Sequence, residues 1–200
     1  MKFAVFVSGK GSNLQSIIDS VKAGEIKAEL TLVFSNNYKA PALTRAKEAG
    51  IKTLFLNPKD YVSRLSFDRE VAIHLKQEGI DFIVLAGYML LLSPQFVKDY
   101  TGKILNVHPS LLPSFKGAQG IKDALTYGAK VTGVTVHLVD DKMDHGPIIM
   151  QESLKIADDD TVETLSTRIH NLEHRIYPKA ISLYADGKIK TKGRRVEIIK

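Results

Sequence analysis

Asn106 and His108 close an apolar run, "KILNVH", and are followed at once by Pro109 and, four residues on, by Pro113. Two positions apart on a strand, their side chains point to the same side of a sheet. Histidine can carry a proton near neutral pH, and an asparagine amide can donate to an oxygen that is becoming negative. Together they suit acyl-type transfer through a tetrahedral intermediate, provided a carboxylate lies close enough to favour the protonated imidazole. The plain alternative is a strand edge whose polar residues meet water and whose prolines make a turn. "DDKMDHG" offers Asp140, Asp141 and Asp144 on one polar loop. Calcium is a rival occupant of that loop, but the EF-hand spacing and terminal glutamate are missing.

"SGKGSN", residues 8 to 13, lies between a strand pattern and a helix pattern. Its glycines permit a tight turn, and a helix N-terminus favours an anion. It is neither a Walker A loop nor GxGxxG, since Asn13 stands where the last glycine would be. The loop therefore reads either as a phosphate or ribose contact through Ser12 and Asn13, or as an ordinary βα turn. His170 and His174 are spaced to bind zinc on a helix, but no HExxH pattern or third ligand accompanies them, so a helix face is the better reading. Ser110 lacks the G-x-S-x-G elbow of a serine hydrolase. The absence of cysteine excludes disulfides, thiolate metal sites and cysteine nucleophiles.

Such residues need elements to hold them. "KFAVFV", "AELTLVFS", "IKTLFL", "DFIVLAG" and "KILNVH" read as hydrophobic strands. Helical segments alternate with them: "LQSIIDSVKAG", "PALTRAKEAG", about 67 to 78, and "PQFVKDY". That alternation predicts an α/β fold, a Rossmann-like doubly wound, mostly parallel sheet with helices on both faces. "VTGVTVHLVD" and "IIMQESLKI" predict an antiparallel C-terminal extension. A long helix follows from about Thr161 to Tyr184, capped by Thr161 or Asp160, with Pro178 expected to kink or split it. "KIKTKGRRVEII" reads as a small hairpin. Ligands of such a sheet sit beyond the carboxyl ends of its strands, where the first loop, "GYML" and the Asn106/His108 edge would converge.

Two hundred residues with 44% hydrophobic content suffice for one globular domain. Residues 1–187 are expected to form that domain, and 188–200 a basic tail or small hairpin. No apolar stretch is long enough for a membrane span, and the first strand lacks a signal-peptide cleavage site, so a cytoplasmic protein is expected. The net charge is +6, and residues 186–200 carry six Lys/Arg against two acids. With the surplus so concentrated and no nucleic-acid-binding pattern beside it, a solvated tail is expected, with no nucleic acid and no membrane as partner.

The segments "SGKGSN", "VFSN", "VLAGYM", "ILNVHPSLLPSFKG", "TGVTVHLVDDKMDHGPII" and "HNLEHRIYP" occur in the order found in the phosphoribosylglycinamide formyltransferase family, which the chain resembles over residues 1–187. "NVHPSLLP" alone marks the wider group of formyltransferases that use 10-formyltetrahydrofolate. The resemblance implies formyl transfer from that co-substrate to the primary amine of 5'-phosphoribosylglycinamide in purine biosynthesis, without a metal, by a monomer or homodimer. It makes Asn106, His108 and Asp144 the catalytic trio. It gives Gly11, Ser12, Asn13, His170, Asn171, Leu172 and Glu173 to the ribonucleotide substrate. To the folate it gives Arg64, Met89, Leu90, Leu91, Leu92, Asn106, Asp140, Asp141, Lys142, Met143 and Asp144. Three positions depart from the pattern: Leu90 replaces a frequent arginine, Gln119 an occasional histidine, and His145 a small residue, which sets a titratable group beside Asp144. Formyltetrahydrofolate deformylase and methionyl-tRNA formyltransferase share the motif but usually carry a further domain, for which this chain is expected to have no room. A non-catalytic binding module on the same fold is the rival of another class.

Overall fold

A computed structural model describes residues 1–199. Five strands, β1 (Lys2–Val7), β2 (Glu29–Ser35), β3 (Lys52–Phe55), β4 (Phe82–Leu85) and β5 (Ile104–His108), run parallel. Antiparallel β6 (Val131–Leu138) and β7 (Ile148–Lys155) complete a seven-stranded sheet in the order β3-β2-β1-β4-β5-β6-β7. The helices are α1 (Ser12–Lys22), α2 (Pro41–Glu48), α3 (Arg64–Gln77), α4 (Pro94–Asp99), α5 (Gly120–Tyr127) and α6 (Val162–Ala185). β8 (Ile189–Lys192) and β9 (Arg195–Ile198) form a separate two-stranded hairpin. The expected fold class is the one observed.

Strand periodicity divides the core. On β1, Phe3, Val5 and Val7 join the cluster under α1, α2 and α6, while Ala4 and Phe6 join Phe67, Val71 and Leu75 of α3 and Phe96 of α4. Both faces of the sheet are therefore covered, as a parallel sheet requires. Sequence order reverses between β1 and β4, the switch point beyond whose carboxyl ends a sheet of this kind takes its ligands.

The helix ends follow local chemistry. Thr161 caps α6 by accepting from the Thr164 amide at 3.2 Å, and Ser63 caps α3 through the Ser66 amide at 3.1 Å. Pro178 does not split α6, which runs unbroken with the proline buried among core residues. α5 has no counterpart in the sequence reading: it is eight residues long and its N-cap, Gln119, makes no side-chain capping bond. None of the helices among the described residues is long and apolar enough to cross a membrane.

Candidate active site

The loop after β1 lies at the carboxyl end of the sheet, beside the switch point. Gly11 caps α1 at φ 75, a left-handed conformation, and a Cβ there would lie 2.6 Å from Ala42 Cβ. Glycine is thus needed both for the turn and for the approach of α2. Ser12 and Asn13 begin α1, where unpaired amides favour an anion. Ser8 ties this loop to the next one, its Oγ accepting from the Met89 amide at 2.9 Å.

Asn13 and Glu173 are 160 residues apart in sequence and joined in space: Asn13 Nδ2 donates to Glu173 Oε2 at 2.8 Å. Glu173 is buried, and burial pushes its carboxyl up to about 7 against the pull of that hydrogen bond. The Asn13 Oδ1 acceptor is buried without a partner. The segment 170–173 does not present one common surface. His170 and Asn171 are exposed, whereas Leu172 packs in the core with Ile169 and Ile176 and can meet a ligand only through its backbone. The His170 residue is exposed overall, but partial desolvation of its ring, with the Lys10 charge nearby, lowers its pKa. His174 Nε2 is buried without a hydrogen-bond partner.

At the end of β5 the strand alternation turns Asn106 and His108 to one side. His108 is 4% exposed; its Nδ1 lies 3.5 Å from Asp144 Oδ2, and its Nε2–H donates to the Phe115 carbonyl at 2.8 Å. Asp144 Oδ2 also accepts from the Gly117 amide at 2.7 Å. Two non-glycine residues among those described have left-handed backbone, Phe115 at φ 50 and Asp144 at φ 48, and both contact this imidazole. Strain of this kind persists only where the surroundings enforce it. The loop carrying Asp144 turns back tightly at Gly146, where a Cβ would lie 1.9 Å from the Leu138 carbonyl oxygen.

His137 was missed by sequence reasoning. It pairs with Asn106 in the β5–β6 register, and Asn106 Nδ2 lies 3.2 Å from its Nε2. Its Nδ1 faces the Leu138 carbonyl at 2.8 Å, an acceptor, so the proton sits on Nδ1 and Nε2 accepts from the amide. Burial lowers the His137 pKa in the same sense. Its 4.0 Å approach to Asp144 Oδ1 is therefore not an ion pair. The available signal was polarity at every second position, Thr135 and His137, matching His108 and Asn106 across the ladder.

The folate candidates fall on two rims. Met89 and Leu91 are 70% and 69% exposed, whereas Leu90 and Leu92 pack on the core cluster under α3 and α4. Arg64 begins α3 with its guanidinium 5.4 Å from the Phe67 ring centre. On the opposite rim Asp141, Lys142 and Met143 are exposed at the tip of the 139–147 loop, while Asp140 is turned inward to His145. His145, placed beside Asp144 by sequence, pairs with Asp140 instead, at 2.7 Å. The basic tail is likewise not wholly solvated, because Arg194 on its turn contacts His145. Among the described residues no three His, Asp or Glu side chains stand close enough to hold a metal ion.

A doubly wound sheet that carries an imidazole–carboxylate contact and a histidine-held amide at the end of β5 is the frame of a family, and the chain belongs to it: the formyl transferase family, whose model matches residues 1–181. Along nearly the whole chain its likeness is to phosphoribosylglycinamide formyltransferases. The Escherichia coli (strain K12) phosphoribosylglycinamide formyltransferase is 43% identical over 190 residues, covering 95% of this chain and 90% of that protein. The crystal structure of glycinamide ribonucleotide transformylase 1 from Symbiobacterium toebii matches with a TM-score of 0.98 at 43% identity, covering 100% of this chain and 94% of the other. The trifunctional purine biosynthetic protein adenosine-3 of Gallus gallus is 47% identical over 189 residues, and this chain spans 19% of its length.

Proposed function

We propose that the enzyme transfers the formyl group of 10-formyltetrahydrofolate to the primary amine of 5'-phosphoribosylglycinamide, a step of purine biosynthesis, and that residues 1–187 constitute its catalytic domain. The observation that supports this reading is the gathering of Asn106, His108 and Asp144 around His137, with the Asn13–Glu173 bridge tying the loop after β1 to α6.

The amine attacks the formyl carbon, and its C–N bond forms as the carbonyl electrons move to oxygen. The Asn106 amide, held by His137, donates to that oxygen. His108 and Asp144 take the proton the amine loses and return one to the folate nitrogen as its bond to carbon breaks. His108 Nε2–H is committed to the Phe115 carbonyl, so it reaches a reacting oxygen only by exchanging that bond. The α1 N-terminus with Ser12 and Asn13 receives the phosphate, and Glu173 anchors the ribonucleotide. The 87–92 and 139–147 rims, with Arg64, receive the folate. Proximity supplies much of the rate, since two bound reactants become effectively unimolecular.

The test is turnover of 10-formyltetrahydrofolate with the glycinamide ribonucleotide or with water as acceptor. Formylated ribonucleotide and tetrahydrofolate are the expected products; release of formate without need of the amine would overturn the reading.

A further inference from the structure

The β8–β9 turn and the 139–147 loop are separate in sequence and fold, yet Arg194 joins them. Its Nη2 donates to the His145 carbonyl at 2.6 Å. Its Nη1 lies 3.0 Å from Nδ1 and 3.1 Å from Nε2 of the same imidazole. A nitrogen so nearly equidistant from both ring nitrogens cannot lie in the ring plane without colliding with Cε1. Nη1 therefore lies over the ring face while Nη2 reaches the carbonyl, a two-point hold that arginine's fork permits. Beneath it the imidazole keeps its in-plane bond, Nδ1–H to Asp140 Oδ2 at 2.7 Å. The other Asp140 oxygen accepts from the Lys142 amide at 3.1 Å. Burial pushes the Asp140 carboxyl up. Hydrogen bonds from His145 and the Lys142 amide, with the charges of His145 and Arg194, outweigh this and hold it below the usual carboxylate range.

Asp140 and His145 thus close the loop on itself from its two ends, and Arg194 presses on the closure from outside. Asp144 lies one residue away, and Asp144, His145 and Arg194 share the wall of one cavity of about 100 Å³. The tip between them, Asp141 to Met143, is exposed and has no buried side chain to fix it.

We propose that Arg194 is a positioning residue for the formyl donor, which clasps the 139–147 loop through His145 and so holds it ready for folate before folate arrives. The inference rests on the reading that this loop receives the folate. A loop ordered beforehand does not charge its ordering entropy to binding.

The test compares wild type with Arg194→Ala, His145→Ala, Arg194→Lys and the double alanine variant. It uses calorimetric binding of tetrahydrofolate and the KM for each substrate. In both single alanine variants, folate affinity should fall by about fivefold. In Arg194→Ala the KM for the ribonucleotide and kcat at saturating folate should stay near wild type. His145→Ala leaves the hairpin's own residues intact, so a similar loss there separates loop closure from hairpin unfolding. The double variant should lose little more than either single one, because the two residues act as a unit. Arg194→Lys should recover little, since a single ammonium cannot cover the ring and reach the carbonyl as the two guanidinium nitrogens do. Unchanged folate affinity in Arg194→Ala, additive losses, or full rescue by lysine would each overturn the clasp. Failure of the wild-type protein to bind any folate would overturn the functional reading, and the clasp with it.

Discussion

Asn106 Nδ2 donates to His137 Nε2 across the β5–β6 ladder at 3.2 Å, and that bond settles which way the Asn106 amide faces. An amide free to flip would present its oxygen to the developing oxyanion half of the time. His137→Ala is expected to lower kcat by about tenfold, the scale of one unsupported buried hydrogen bond. The dissociation constants of both substrates should change little. Wild-type kcat in a folded His137→Ala protein would show that Asn106 is held by other means.

In the proposed mechanism His108 and Asp144 act through one contact, so their substitutions should not add. His108→Ala and Asp144→Asn are each expected to lower turnover by about two orders of magnitude. The double variant should fall little further. Single-turnover kinetics at saturating ligand separates this loss from binding. A multiplicative loss would mean that the 3.5 Å approach is not a working pair.

Glu173 should make stability depend on pH. The unfolded chain ionises this group near 4.5, but burial holds the folded-state value at about 7. Stability from this group is complete below 4.5 and is lost as pH rises to about 7. Glu173→Gln removes that loss, so its stability relative to wild type should increase from pH 5 to pH 8 in urea titrations. Asn13→Ala removes the bond that lowers the pKa and should raise it further, read by carboxyl NMR, while weakening ribonucleotide binding and sparing folate. A Glu173 titration unmoved in Asn13→Ala would refute the bridge.

Gly11 is a poor probe of the anion site despite its place beside it. Any side chain there takes a left-handed backbone and drives a Cβ to 2.6 Å from Ala42 Cβ and 2.9 Å from its Cα. Gly11→Ala should cost about 1–3 kcal/mol of stability by chemical denaturation. Binding of both ligands should suffer through displacement of α2. A stable Gly11→Ala protein that loses only the ribonucleotide would assign the glycine to the phosphate instead.

Much of this protein is determined by short-range pattern. The alternation in "KFAVFV" commits β1 to a sheet with two covered faces, and the spacing of Asn106 and His108 commits both to one side of β5. Ser63 and Thr161 start their helices through bonds that reach only three residues. Period and capping are local, so a linear sequence carries them. The rest was decided by contacts between distant segments. Polarity alone does not tell that His137 stands opposite Asn106, because register is set by the pairing of two strands 31 residues apart. Leu172 and Glu173 are neighbours in sequence, yet one fills the core and the other meets Asn13, since α6 turns each residue about 100° from the last. His145 stands next to Asp144 and reaches Asp140, because the left-handed backbone at Asp144 turns the chain between them. Arg194 reads as one charge in a solvated tail until the hairpin folds against the loop. Which carboxylate a histidine meets, and which arginine covers it, depends on where separate loops come to rest, and no local preference encodes that.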